Sequence, residues 1–184
     1  MSQNNTIDTI HRSDYIRKNV IDMYAYWNNE AIKADLDTKR HNFSVLISNI
    51  FYDFNLGSVI RNCNAFLGSR IYVYGARKYD KRATVGTYKY ERIENIQTLD
   101  KLPSDAIIVG IDNVDGAEDI ETFEYPKDRH IIFAFGQEQV GLPMEMAAAC
   151  EKMLYIKQYG SVRSLNVGCA SGIVMYDYCR KMNV

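Results

Sequence analysis

From residue 43 onward, short apolar runs alternate with stretches of helical spacing, and this alternation restricts the chain more than any other feature. The runs at 43–50, 70–74, 106–111, 130–135 and 153–156 have the length of strands, whereas 57–67, 144–150 and 165–182 carry helical patterns. Parallel strands need a crossover between them, and the usual crossover is a helix. The order therefore predicts an α/β domain with a mostly parallel sheet flanked by helices. Upstream, Ile16, Val20, Met23, Tyr24 and Trp27 recur at helical spacing after Ser13 and Asp14, either of which suits an N-cap. This predicts a helix over 13–34, within an N-terminal helical extension at 1–42 that joins a single domain at 43–184. Segment 112–124 is acidic and reads as solvated, with a short helix as its only regular structure.

Composition narrows the class. Hydrophobic residues make up 47% of the 184 and charged residues 24%, the balance of a globular chain rather than a disordered one. No apolar run approaches the roughly 18 residues a membrane helix requires. The polar start, Met1-Ser2-Gln3-Asn4-Asn5-Thr6, lacks the basic and apolar regions of a signal peptide, so a cytoplasmic address and no membrane partner are expected. Cys63, Cys150, Cys169 and Cys179 form no CxxC and have no histidine at ligand spacing, so no metal is expected and the four read as small core residues. His11, His41 and His130 are scattered and read as structural or exposed. Neither a dinucleotide fingerprint, nor a phosphate-binding P-loop, nor a GxSxG nucleophile elbow is present.

Ligands of open α/β sheets sit beyond the carboxyl ends of the strands. Three loops there carry chemistry. After the first strand, Asn55-Leu56-Gly57 opens a helix in which Arg61 lies about one turn further on, a planar guanidinium suited to phosphate or carboxylate. After 130–135 comes Gly136-Gln137-Glu138-Gln139-Val140-Gly141-Leu142-Pro143, whose glycines let backbone approach a ligand. After 153–156, Ser164 suits an N-cap, Asn166 lies early in the last helix, and Gly168, Ala170, Ser171 and Gly172 permit close approach by another element. Each has a plainer reading as a cap, a turn or tight packing. Segment 77–92 sets six basic side chains against two acidic ones and interleaves Tyr79, Tyr88 and Tyr90. Cations hold phosphates and rings stack on bases, so Arg77, Lys78, Lys81, Arg82 and Lys89 are candidate RNA contacts, with a solvated surface loop as the alternative.

Taken in order, N-x-G-x-x-x-R at 55–61, F-G-x-E-x-x-G-L-P at 135–143 and I-x-x-x-G-x-x-x-S-L-N-V at 156–167 resemble the SpoU (TrmH-like) branch of the SPOUT RNA methyltransferases, over residues 43–182. Phe54 and Lys157 stand where that family often has proline. The resemblance implies a C-terminal trefoil knot of SPOUT type, which general topology rules would not suggest, and a homodimer. It implies methyl transfer from S-adenosyl-L-methionine to a ribose 2′-hydroxyl of RNA. By position it gives Gly136, Ile156, Leu165 and Ile111 to the cofactor, and Arg61, Asn55, Glu138, Ser164 and Asn166 to catalysis. A guanidinium stays protonated in proteins, so the expected part for Arg61 is a phosphate clamp rather than a base. The runs at 163–167 and 84–88 look most like the tRNA D-loop guanosine ribose methylases, with rRNA as the alternative substrate. A catalytically idle RNA-binding protein and a small-molecule α/β enzyme are the rival readings.

Overall fold

In the computed structural model, residues 19–49, 55–75, 80–137 and 140–184 are described. Seven strands form one sheet: β1 (Phe43–Ser48), β2 (Ile71–Tyr74), β3 (Ile93–Ile96), β4 (Ile107–Ile111), β5 (Glu118–Asp119), β6 (Ile131–Phe135) and β7 (Lys152–Tyr155). Their order across the sheet is β3-β2-β1-β6-β4-β7-β5, and every pairing is parallel. All residues of β1, β2 and β6 are buried, as a strand covered on both faces requires.

Four α-helices accompany the sheet: α1 (Asn29–Asp37), α2 (Asn55–Ala65), α3 (Met144–Ala149) and α4 (Val167–Met182). Helix α2 buries Leu56, Val59, Ile60 and Cys63, one apolar stripe at helical spacing. That stripe joins Val174, Met175 and Tyr178 of α4 in the larger core, where Phe43, Tyr125, Phe133 and Tyr178 meet edge to face or tilted. The opposite face of the sheet packs Leu46, Tyr72 and Ile132 against Met146 of α3. Helices α2 and α4 lie close because glycines line the contact. A Cβ at Gly168 would stand 2.8 Å from that of Ser58. Of the small residues of α4, Gly168, Ser171 and Gly172 therefore face α2, whereas Ala170 borders a cavity.

The expected helix over 13–34 is not continuous. Residues 13–18 lie outside the described residues, Asp22–Tyr24 is a single 3-10 turn, and α1 begins only after Asn28, whose side chain accepts from the Ala31 N–H. Asn28 is itself a good N-cap residue, and Tyr24 is turned inward onto Ile32, Leu36 and Tyr90. A buried ion pair then fixes α1 to the sheet. Arg40 binds Glu91 at 2.8 Å and Asp37 at 2.7 Å, and donates to the carbonyls of Gly68 and Tyr90. Burial pushes the Glu91 carboxyl above its ordinary value, against the pull of Arg40 and the Asn64 amide.

Segment 112–124 is not simply solvated. It contributes β5, and its apolar residues Ile120 and Phe123 are buried in the larger core, where Lys181 of α4 donates to both their carbonyls. Strand β3 was likewise unmarked in the sequence, because as an edge strand it buries only Ile96 fully. Of the histidines, His130 is held between Asn42 and Ser44 at 2.8 Å each, and burial lowers its pKa.

Candidate functional site

The sheet register brings Ile111 level with Phe135 and Leu154, so the loops after β4, β6 and β7 leave the sheet side by side. Those loops are tied to one another. Gln137 and Gly141 exchange two backbone hydrogen bonds of 2.9 and 2.8 Å. The resulting turn comes so close to Gly136 that a Cβ there would stand 2.1 Å from the Gly141 carbonyl carbon. The Asp112 carboxylate accepts from the Leu142 N–H at 3.3 Å, and the Asn113 amide donates to the Arg163 carbonyl at 3.0 Å. Between the three loops lies a cavity of about 190 Å³. The sequence-derived cofactor residues Ile111, Gly136, Ile156 and Leu165 all line it, and so does Ser164.

Four polar lining residues were missed: Asp112, Asn113, Gln137 and Gln158. Three of them follow a strand end within two residues, so asking what sits directly beyond β4 and β6 would have found them. Gln158, three residues past β7, carried no such signal. Its Oε1 is buried with no hydrogen-bond partner among the described residues. No Lys, Arg or His lines this cavity among the described residues, and Asp112 is its one carboxylate.

A second cavity, of about 660 Å³, opens on the other side of residues 164–170. Ser58, Arg61 and Asn62 of α2 form one wall, Asn166, Gly168 and Cys169 another, and Thr87 of the 3-10 turn Thr87–Lys89 borders it. Asn166, not Ser164, is the N-cap of α4: its side chain accepts from the Cys169 N–H at 3.2 Å. Its amide also donates to the Asn55 side chain at 2.7 Å, which joins the starts of α2 and α4. Asn62 reinforces that junction by donating to the Gly168 carbonyl and the Ser171 hydroxyl, at 2.8 and 2.9 Å. Arg61 is exposed and makes no hydrogen bond or ion pair among the described residues. The structure thus gathers Asn55, Arg61 and Asn166 on one side and sets Ser164 on the other. Glu138, assigned to catalysis by the resemblance, lies outside the described residues.

The basic segment is divided in its employment. Arg77 and Lys78 lie outside the described residues. Arg82 is bound to Asp80 at 2.6 Å, Arg92 to Asp37 at 2.8 Å, and Glu91 is buried against Arg40. Lys81 and Lys89 are exposed, with the Lys81 ammonium 5.0 Å from the centre of the Tyr88 ring. What looked like a loop is two 3-10 turns, Lys81–Thr84 and Thr87–Lys89, packed on α2 so closely that a Cβ on Gly57 would meet the Ala83 backbone at 2.6 Å. Lys33, Arg70, Lys81 and Arg92 line a shallow groove on the far side of these turns from Arg61.

The cysteines are all free. Burial raises the thiols of Cys63 and Cys179 and pushes Cys150 up to about 11, so none of these three is a thiolate near neutral pH. Cys169 departs from the core reading, being exposed at the second cavity. Among the described residues no three His, Cys, Asp or Glu side chains are placed to hold a metal ion, and no helix is long and apolar enough to cross a membrane.

Comparison with known proteins converges on one group. The model of the SpoU rRNA Methylase family matches residues 42–176. The tRNA (guanosine(18)-2′-O)-methyltransferase of Aquifex aeolicus is 24% identical over 158 residues, which are 82% of this chain and 74% of that protein. The crystal structure of the A. aeolicus TrmH/SpoU tRNA modifying enzyme superposes with a TM-score of 0.71 over 84% of this chain and 82% of that one, at 24% identity. The AdoMet-bound rRNA methyltransferase from Sinorhizobium meliloti gives a TM-score of 0.67 at 27% identity, over 81% of this chain and 59% of that one. The chain also spans only 64% of the TrmH-family protein YacO of Bacillus subtilis, to which it is 25% identical.

Proposed function

The chain belongs to the SpoU rRNA Methylase family, and from that premise we propose that it methylates a ribose 2′-hydroxyl of RNA with S-adenosyl-L-methionine, the substrate being tRNA, with a D-loop guanosine as the target. The observation that carries the reading is the pair of cavities of opposite character that share residues 164–170 as a wall. The first, bordered by apolar and neutral polar side chains, by one carboxylate and by no cation among the described residues, suits a ligand with a flat apolar part and a positive charge and does not suit a polyphosphate. A sulfonium cofactor with a purine has that character. The second holds an exposed arginine that lacks a partner among the described residues, and suits an anion such as the RNA backbone.

When bound, S-adenosyl-L-methionine supplies a methyl group that is already electrophilic, which leaves positioning and charge to the protein. Ile111, Phe135, Ile156 and Leu165 exclude water around the first cavity, and Gly136 admits the backbone of the 137–141 turn beside it. Arg61 clamps a phosphate next to the target ribose and stabilises negative charge developing on its oxygen. The hydroxyl proton leaves to that phosphate or to water. Asn166 fixes the start of α4 and, through Asn55, the start of α2, so the two cavities keep one geometry. In the same reading Glu138 fixes Arg61 or the third loop by hydrogen bonding, and Ser164 orients the ribose or holds its loop, the roles the family pattern implies.

The same reading includes a trefoil knot in the C-terminal half, where the loop after β7 is held against the loop after β4 by the Asn113–Arg163 hydrogen bond. It includes a homodimer, supported by Ile173 and Tyr176, exposed on the outer face of α4. It includes a cytoplasmic setting, where tRNA is. An rRNA substrate is the second reading, favoured by the likeness to the S. meliloti protein. Transfer of labelled methyl from S-adenosyl-L-methionine to unmodified tRNA and rRNA pools, followed by nucleoside mass spectrometry, decides. A 2′-O-methylguanosine from tRNA is expected, a labelled product only in rRNA selects the second reading, and cofactor binding without any product refutes both.

A further inference from the structure

A buried acceptor without a donor is costly, because it has given up water for nothing. Gln158 Oε1 is such an atom among the described residues, and Gln158 is one of the residues that line the first cavity. Its backbone lies between β7 and α4, in a loop where the Arg163 carbonyl is taken by Asn113 and the Asn166 side chain by Asn55 and the Cys169 N–H. A donor carried by whatever fills the cavity would satisfy it. Resting on the cofactor reading above, we infer that the Gln158 carboxamide oxygen accepts a hydrogen bond from the exocyclic 6-amino group of the cofactor's adenine, so that Gln158 selects adenine over other bases.

The alternatives within the cofactor fit less well. An α-ammonium buried against one neutral oxygen would lack a counter-charge, whereas Asp112, on the loop after β4, offers the cavity's carboxylate. A neutral N–H against a neutral carbonyl costs the least to bury. The surroundings agree: Ile156 and Leu165, chain neighbours of Gln158 and Ser164 in the same lining, give apolar faces against which a flat base can lie.

The test measures binding rather than turnover. S-adenosyl-L-homocysteine and its analogue with hydrogen in place of the 6-amino group are titrated calorimetrically into the wild-type protein and Gln158→Met. Wild type should prefer the amino compound by about tenfold, the worth of one buried neutral hydrogen bond with its unmet alternative. Gln158→Met should lose that preference by weakening only the amino compound. Equal binding of the deaminated analogue to both proteins also reports that the variant is folded. If Gln158→Met weakens both ligands alike, or neither, the contact is wrong while the cofactor reading stands. If wild-type protein binds neither ligand, the cofactor reading fails and takes the contact with it.

Discussion

Gly136 shows how little of a site can lie in its side chains. The position lines the first cavity, yet what matters there is the absence of a Cβ, since the Gly141 carbonyl and the Leu142 nitrogen occupy the space one would take. Gly136→Ala must push the 137–141 turn away and with it the loop that borders the cavity. Such overpacking costs about 1–3 kcal/mol, and it falls where a ligand should bind. Binding of S-adenosyl-L-homocysteine to this variant should drop at least tenfold, measured by calorimetry, while the protein remains folded by circular dichroism. Single residues were legible in the sequence when a strand end or a motif marked them, as Ile111, Gly136 and Leu165 were. Asp112, directly beyond β4, carried that mark unread, whereas Gln158 carried none, because a polar residue in a loop looks the same whether its head group is solvated or buried.

At the scale of elements, the strands and helices that carry the site were readable and those that frame it were not. Strands β4 and β6 are continuous apolar runs, β1 and β7 are mostly apolar, and α2 and α4 keep a helical stripe, so local pattern and tertiary environment agree. Strand β3 and the 3-10 turns on α2 are held by distant partners that no local pattern reveals. The clearest of these partners is Arg40. It joins the end of α1 to the loop before β3 through Glu91, a contact spanning 51 residues of sequence. Arg40→Met would leave the Glu91 carboxylate buried with Asn64 as its remaining partner. Removing one member of such a pair costs about 3 kcal/mol or more at neutral pH. The sign with pH follows from Glu91, whose carboxyl burial already raises. In the variant the neutral acid needs no cation, so the charged form bears the penalty. The deficit relative to wild type, read from urea midpoints, should shrink as pH falls through the Glu91 pKa and reach its full size above it.

For the molecule as a whole, the question is how RNA lies on it. Besides the second cavity with Arg61, a groove is lined by Lys33, Arg70, Lys81 and Arg92; Arg70 is paired with Glu94 and Arg92 with Asp37, so Lys33 and Lys81 are the cations it offers an RNA backbone. Within the basic segment, Lys81 and Lys89 are the described candidates not tied up in an ion pair, whereas Arg82 is held by Asp80. Lys81→Gln with Lys89→Gln should weaken binding to tRNA transcripts and lower the slope of log affinity against log salt by about 1 to 2, as one or two phosphate contacts are lost. An unchanged slope returns the segment to the role of a solvated surface. The overall α/β architecture followed from the alternation of runs, because a parallel sheet leaves few other ways to connect strands. The division into two cavities of opposite charge was not legible, since it depends on which side of residues 164–170 each loop folds. That division is the central claim, and Arg61→Ala tests it most directly, with S-adenosyl-L-homocysteine binding and single-turnover methyl transfer at saturating RNA measured on the same preparation. Cofactor-side affinity within about twofold of wild type, together with transfer slower by about a hundredfold or more, is the predicted result. Transfer at the wild-type rate, or cofactor affinity lost along with it, would contradict the account.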